Sequence, residues 1–405
     1  KDFKDIKKIF KKLKGKKYSL DNVEKILREI DKVASLKLYD FIDASVEENI
    51  VNTNKINFDF KIKDSKKFYV ERINIFGNFQ TEEAVIRNNL KVDEGDPLNN
   101  VLYNKSIDQI RSLGFFNKVD SEVVNGSNEN LKVINITVEE QPTGEITMGA
   151  GYGSSGSTLG AGIVEKNFLG KGINLNTNFE LSEESLKGQF IFSKPNFNYT
   201  ENTLRTSLKA LTTDNLDDFG YKQSETGVSL GTTYEQYENL FFSPEIALSL
   251  EDLETNSSAS TNLKKQEGKY EDFYFNYGLN YDLRDSVYNP TTGSKTSFFQ
   301  TIPLISDNSE IANTFVLTKY KTLNDSSGMV GRVSLYLKGV YSLGDDDVRI
   351  SKRAYVPYSR LRGFEKNKIG PKDNDDYIGG NYVSTLNFST NLPGFFTTVE
   401  NIDFS

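Results

Sequence analysis

Asp272–Leu283 reads DFYFNYGLNYDL, and this stretch decides the fold. Phe273, Phe275, Tyr277, Leu279, Tyr281 and Leu283 fall on one side of an extended chain. Asp272, Tyr274, Asn276, Gly278, Asn280 and Asp282 fall on the other, because successive side chains of a strand point to opposite faces. The pattern recurs at Ile173–Leu181 and at Val333–Tyr341, each with one oily and one polar face. About twelve such runs fill the chain after Gln141-Pro142. They span 145–152, 158–168, 173–182, 186–194, 202–213, 222–235, 241–254, 270–283, 294–305, 312–323, 329–343 and 380–390.

Two architectures use such strands. A water-soluble sandwich or solenoid turns the oily faces inward. A membrane barrel turns them toward lipid and lines a wet lumen with the polar faces. Many runs exceed the ~5–6 residues usual for soluble strands. They suit the ~9–11 residues of a tilted membrane crossing. Tyr and Phe recur near the run ends, where an interfacial girdle would sit. The length and the girdle favour the membrane barrel.

Composition narrows the chemistry. The 405 residues hold 49 Lys plus Arg and 57 Asp plus Glu, a net charge of −8. An acidic chain is a poor general partner for nucleic acid. There is no His and no Cys. Zinc sites built on those residues, Ser-His-Asp triads, Cys-His dyads and disulfides are all excluded. The mean hydropathy of −0.51 and the lack of an 18-residue apolar run exclude a transmembrane helix. No cofactor or metal is implied, and no constellation supports an enzyme.

Ahead of Gln141 the texture is mixed. Tyr69–Phe76 alternates and ends at the turn Gly77-Asn78. Thr81 is placed to cap a short helix that begins with Glu82 and Glu83. Leu98–Leu113 has helical spacing, and Gly114 stops it. Phe115–Val124 and Leu131–Glu139 read as a hairpin, giving the order β-α-α-β-β. An earlier copy reads α-α-β-β, with helices over 1–13 and 20–33 and strands over 38–46 and 56–62. Its first strand is missing. The predicted domains are therefore 1–66, 67–142 and 143–405.

A β-α-α-β-β repeat running into a barrel resembles the POTRA-containing outer-membrane barrel superfamily. Three stretches sharpen the likeness. Gly149-Ala-Gly-Tyr-Gly153 is followed by Glu165-Lys-Asn-Phe-Leu-Gly170. Tyr281-Asp-Leu-Arg-Asp285 is followed by Asn289-Pro-Thr-Thr-Gly293. Leu361-Arg-Gly-Phe364 is followed by Ile369-Gly-Pro-Lys-Asp373 and Gly379-Gly-Asn381. The order is similar to the BamA family of assembly factors within that superfamily. The Ile-Gly-Pro-Lys continuation favours that branch over TamA-like relatives.

The resemblance implies α+β POTRA domains in the periplasm, then an antiparallel transmembrane barrel in the outer membrane. It implies sixteen barrel strands. With about twelve counted, the chain is expected to be a fragment, cut in its first POTRA copy and before its last strands, and not to close a stable barrel alone. The implied function is insertion of β-barrel proteins. Implied partners are unfolded outer-membrane β-barrel clients, accessory outer-membrane lipoproteins and the lipid bilayer, with no nucleic acid. A TamA-like or two-partner secretion translocator is the alternative within the superfamily, and a passive porin the alternative outside it. The first barrel strand would be a seam that opens to pair with a client strand. Gly149, Gly151 and Gly153 weaken pairing there, although glycines that only permit a bend would look the same.

The segment Leu343–Tyr377, about 35 residues, is too long for an idle loop. In the family it folds back into the lumen. The resemblance assigns a lumen-loop motif to Arg362, Gly363, Phe364, Gly370 and Pro371. Arg362 would pair with carboxylates on the inner wall, Gly363 would turn the backbone and Phe364 would pack. Where relatives often carry Glu, this chain has Asn387, which accepts a hydrogen bond but forms no ion pair. A second, barrel motif comprises Asp282, Arg284, Asp285, Pro290 and Gly293, read as an ion network at a strand end. Gly151-Tyr-Gly-Ser-Ser-Gly156 matches a dinucleotide fingerprint, but no helix follows it. The acids at 345–347 and 373–376 lack EF-hand spacing and read as solvated loops.

Overall fold

The computed structural model describes residues 10–11, 26, 30, 42–52, 55–64, 68–153, 156–257, 259–286, 289–324, 328–365, 367–374, 376–392 and 402–404. The chain divides into two compact units. One holds Lys1–Thr143 with Leu169–Lys171, the other Gly144–Phe168 with Gly172–Ser405.

In the first unit, β1 (Ile42–Asn52) and β2 (Lys55–Asp64) form an antiparallel hairpin. The helices expected over 1–13 and 20–33 lie outside the described residues, apart from helical positions 10, 11, 26 and 30. Then come β3 (Tyr69–Phe76), α1 (Glu83–Arg87), α2 (Asn100–Ser112), β4 (Phe116–Asn125) and β5 (Leu131–Glu140). The order is the β-α-α-β-β expected. The sheet runs β3-β5-β4, with β3 parallel to β5 and β4 antiparallel to it. Two helices carry the chain across between the parallel strands, as such a connection requires. Ile73, Ile86, Ile110, Ile134 and Ile136 fill the core. Asn99 Oδ1 accepts the Leu102 N–H and starts α2.

Thr81 does not cap α1. Glu82 precedes that helix and makes no side-chain capping bond. The Thr81 N–H instead donates to Glu140 Oε1 at 2.7 Å. Phe79 and Gln80 donate to Glu140 Oε2 at 3.1 and 2.9 Å. Glu140 therefore gathers the whole turn, and its pKa is lowered: burial works against the charge, and the three N–H groups with the Thr81 side chain outweigh it.

The second unit is one antiparallel meander. Its strands are β6 (Gly144–Gly153), β7 (Gly156–Phe168), β8 (Ile173–Ser182), β9 (Ser185–Lys194), β10 (Thr203–Asn215), β11 (Tyr221–Tyr237), β12 (Leu240–Thr255), β13 (Gly268–Asp282), β14 (Gly293–Ser306), β15 (Glu310–Asn324) and β16 (Met329–Ser342). The two-residue strands β17 (Lys372–Asp373) and β18 (Asp376–Tyr377) pair with each other, and β19 (Tyr382–Leu392) rejoins the sheet beside β16. The three-residue β20 (Ile402–Phe404) pairs with β19. Each of the twelve sequence runs becomes one long strand. The sheet is open: among the described residues β6 pairs with β7 alone. Two four-residue helices, α3 (Leu216–Phe219) and α4 (Thr261–Lys264), sit in connections where the sequence showed no helical period.

The burial of this sheet is inside out. In β11, Gln223, Glu225, Gly227 and Ser229 are buried, while Thr226, Val228 and Leu230 are exposed. Likewise Ser249 and Glu251 of β12 are buried beside exposed Leu248 and Leu250. A water-soluble protein would not hide glutamates and show a continuous apolar surface. A sheet with lipid outside and a polar interior does so. No described helix is long and apolar enough to cross a membrane.

Candidate functional site

The polar interior of the sheet receives the long connection between β16 and β19, residues 343–381. Val348, Arg349 and Ile350 of this strap are buried. Arg349 Nη1 donates to Glu251 Oε2 at 3.0 Å, and Nη2 donates to Asp272 Oδ2 at 2.9 Å and Glu310 Oε2 at 3.3 Å. Its backbone N–H donates to Glu310 Oε1 at 3.0 Å. The guanidinium stacks 4.1 Å from the Tyr270 ring centroid. One strap arginine thus grips β12, β13 and β15. Burial opposes its charge, but Glu251, Glu310 and Asp272 prevail and raise its pKa.

Lys352 extends the cluster, with Nζ 3.1 Å from Glu251 and 3.6 Å from Glu225. Lys209 meets Glu225 from β10 at 2.8 Å. Lys209, Glu225 and Lys352 border a cavity of about 470 Å³ that Lys338, Asn276 and Thr301 also line. The strap closes on itself through paired backbone bonds between Ala354 and Gly380, of 2.7 and 2.9 Å. Gly379 makes this possible. It has φ +66, and a Cβ there would lie 2.8 Å from the Tyr355 ring. Asp373 accepts from Ser260 at the start of α4 at 2.7 Å, so the strap is also tied to the β12–β13 connection.

The sequence-derived lumen-loop residues lie further along the strap. Arg362, Gly363 and Phe364 are exposed, as are Gly370 and Pro371. Gly363 sits at φ +85, in the left-handed region. The strap arginine that meets Asn387 is Arg360. Its carbonyl accepts from Asn387 Nδ2 at 2.8 Å, its Nη1 donates to Ser334 Oγ at 3.1 Å, and its guanidinium lies 4.8 Å from the Tyr336 ring centroid. The Arg362 turn follows the short helical turn Tyr358–Arg360, whose last side chain occupies the place at β19.

The structure draws the barrel-motif residues together. Arg284 Nη2 lies 2.6 Å from Asp282 Oδ2. Asp285 accepts the N–H groups of Thr291 and Thr292 at 2.9 and 3.1 Å. The Thr291 hydroxyl and those two N–H groups depress the Asp285 pKa to about 2. Gly293 closes this turn beyond Pro290, at φ +96, where a Cβ would meet the Leu283 carbonyl at 2.1 Å. On β6, Gly149 and Gly151 have open space where a Cβ would be, and Gly153 ends the strand. Met148, directly before Gly149, is 85% exposed.

Sequence reading missed Arg349. A lone Arg after three acids gives no local signal. The available clue lay elsewhere, in carboxylates at inward positions of β12 and β13 that lacked bases on neighbouring strands.

Residues 167–403, more than half of the chain, match the model of the Omp85 superfamily domain. The chain belongs to the Omp85 superfamily. Residues 68–141 also match the POTRA family described as a surface antigen variable number repeat. The Omp85 sheet lies in the outer membrane, with the POTRA region in the periplasm. Among curated relatives, the outer membrane protein assembly factor BamA of Neorickettsia risticii is 24% identical over 84% of this chain and 46% of its own length. BamA of Nitratidesulfovibrio vulgaris is 24% identical over 85% of this chain and 43% of its own. The chain thus spans less than half the length of these two relatives. In fold it is similar to BamA of Haemophilus ducreyi lacking POTRA domains 1–3, with TM-score 0.70, 22% identity and 98% of this chain and 82% of that chain covered. CdiB of Acinetobacter baumannii gives TM-score 0.53 at 13% identity, over 98% of this chain and 74% of that one.

Proposed function

We propose that this chain is the membrane-proximal part of an assembly factor that helps outer-membrane β-barrel proteins fold and insert. The observation that carries the reading is a lipid-facing sheet whose first strand, β6, pairs with β7 alone among the described residues. An unpaired backbone N–H or C=O in lipid costs several kcal/mol. A client strand arriving beside β6 satisfies such groups on both chains by strand addition. Gly149 and Gly151 offer that strand no side-chain obstruction. The names of the relatives support the same activity.

On this reading 1–66 belongs to a POTRA domain, 67–142 is the POTRA domain next to the barrel, and 143–405 is the transmembrane barrel. Unfolded clients and accessory lipoproteins meet the POTRA sheets. The strap, with Arg362, Gly363, Phe364, Gly370 and Pro371, shapes the lumen. The Asp282–Gly293 turn fixes the register of β13 and β14. The activity consumes no cofactor and makes no covalent bond.

The test is a Met148→Cys chain carrying a photocrosslinker, mixed with an unfolded outer-membrane client in lipid vesicles. Crosslinks to the client during its folding are expected at this position. Crosslinks confined to lumen positions such as Asn276, with none at Met148, would favour a translocation pore.

A further inference from the structure

Phe79 is 94% exposed, although its backbone N–H is held by Glu140. Glu140 takes the N–H groups of residues 79, 80 and 81. Asn78 Nδ2 donates to the Thr81 carbonyl at 3.0 Å. Gly77 turns at φ +87, with the Val138 carbonyl 2.0 Å from where a Cβ would stand. A rigid turn that presents a bare phenyl ring to water gains nothing in a protein that stays in water.

The same turn is fastened to Leu169–Lys171. The Glu82 N–H donates to the Gly170 carbonyl at 2.8 Å. A Cβ on Gly170 would lie 1.9 Å from the Gln80 carbonyl, so only glycine permits this approach. Leu169 is itself 70% exposed, and Lys171 beside it is exposed. By sequence these residues connect β7 to β8. Leu169 directly follows Phe168, the last residue of a strand whose outward side chains, Leu159 and Ile163 among them, are exposed and apolar. Leu169 is thus the next residue along the chain after an apolar strand end, and the backbone lock holds the Phe79 turn against Leu169–Lys171.

We propose that Phe79 and Leu169 form an interfacial anchor that dips into the periplasmic leaflet, with Lys171 reaching the lipid phosphates. An exposed ring, an aliphatic neighbour and a flanking cation are the chemistry of the membrane–water boundary. The anchor holds this turn at the bilayer surface. It rests on the membrane placement of the sheet and not on the assembly activity proposed above.

The chain contains no Trp, so single replacements give an unambiguous reporter. Phe79→Trp, Leu230→Trp and Phe364→Trp would each be made in the full chain and folded into phosphatidylcholine vesicles with or without brominated acyl chains. Leu230, exposed mid-strand on β11, reports the apolar face. Phe364, exposed on the strap, reports water. Phe79→Trp should be blue-shifted relative to Phe364→Trp and lose about half of its emission to brominated lipid, as a ring at the headgroup level would. Emission like that of Phe364→Trp, with Leu230→Trp quenched, would overturn the anchor and leave the sheet in the membrane. If Leu230→Trp also escapes quenching, the membrane placement fails and the anchor fails with it.

Discussion

Arg349 and Asp272 meet at 2.9 Å with both side chains fully buried, one on the strap and one on the wall of the sheet. Burying a charge is costly unless it is paired, and a pair inside protein does not gain much over an apolar one. The value of this contact is therefore positional. It specifies where the strap sits.

Removing one partner leaves the others uncompensated. Arg349→Met leaves three carboxylates facing one another and should cost about 3 kcal/mol or more. Urea unfolding of the lipid-folded chain would show the loss, and limited proteolysis would show faster cleavage within residues 343–381. A triple change of Glu251, Asp272 and Glu310 to neutral amides in the same background should recover part of it. If Arg349→Met leaves both the midpoint and the cleavage rate unchanged, the strap is held elsewhere.

The orientation of β11 predicts an asymmetry between adjacent residues. Leu230→Arg, on the outward face, should destabilise the sheet by about 2–4 kcal/mol when folded in bilayers. Ser229→Arg, one residue earlier and facing the polar interior, should cost clearly less in overall stability. Equal losses would mean that lipid does not lie on the Leu230 side.

Two carboxylates outside the membrane strands set an acid limit. The Asp285 pKa falls from 3.8 to about 2, and that of Glu140 falls below 4.5. A lowered folded-state pKa adds stability above the unfolded value, and the gain is lost as pH falls through the folded one. The turn at 285–292 should therefore hold at pH 4 and loosen toward pH 2. Glu140→Gln should weaken the 79–81 turn by about 1 kcal/mol, less where water screens it. Carbon-detected NMR titration of the two carboxyls checks both directions. An Asp285 midpoint near 4 would refute the hydrogen-bonded turn.

Gly293→Ala isolates backbone geometry from charge. The new methyl meets the Leu283 carbonyl, and φ +96 is strained for any residue with a Cβ. The cost should be about 1–3 kcal/mol. Gly149→Ala, with open space around it, should cost far less. Comparing the two thermal midpoints tests whether turn or strand glycines carry the constraint.

Much of this architecture was legible. Period-two patterning in Asp272–Leu283 and its counterparts located every long strand of the second unit, because strand faces repeat locally, while β1, expected over 38–46, lies at Ile42–Asn52. The β-α-α-β-β order followed from Gly77, Gly95, Gly114 and the spacing around Ile107 and Ile110. The strap contacts were not legible in this way. Arg349 and Glu251 lie 98 positions apart, and nothing in either neighbourhood announces the other. The Arg-Gly-Phe motif drew attention to Arg362, while the contact with Asn387 falls to Arg360, two residues earlier. A turn shifts which side chain points inward, and composition does not record the shift. Thr81 shows the same limit, since a distant carboxylate claims its side chain as well as its N–H.

The three-strand grip of Arg349 also bears on timing. Its partners belong to β12, β13 and β15, so the guanidinium finds all of them only after those strands have settled into register. The strap is then a latch that seats late, and a misregistered wall would leave it unseated and open to proteases.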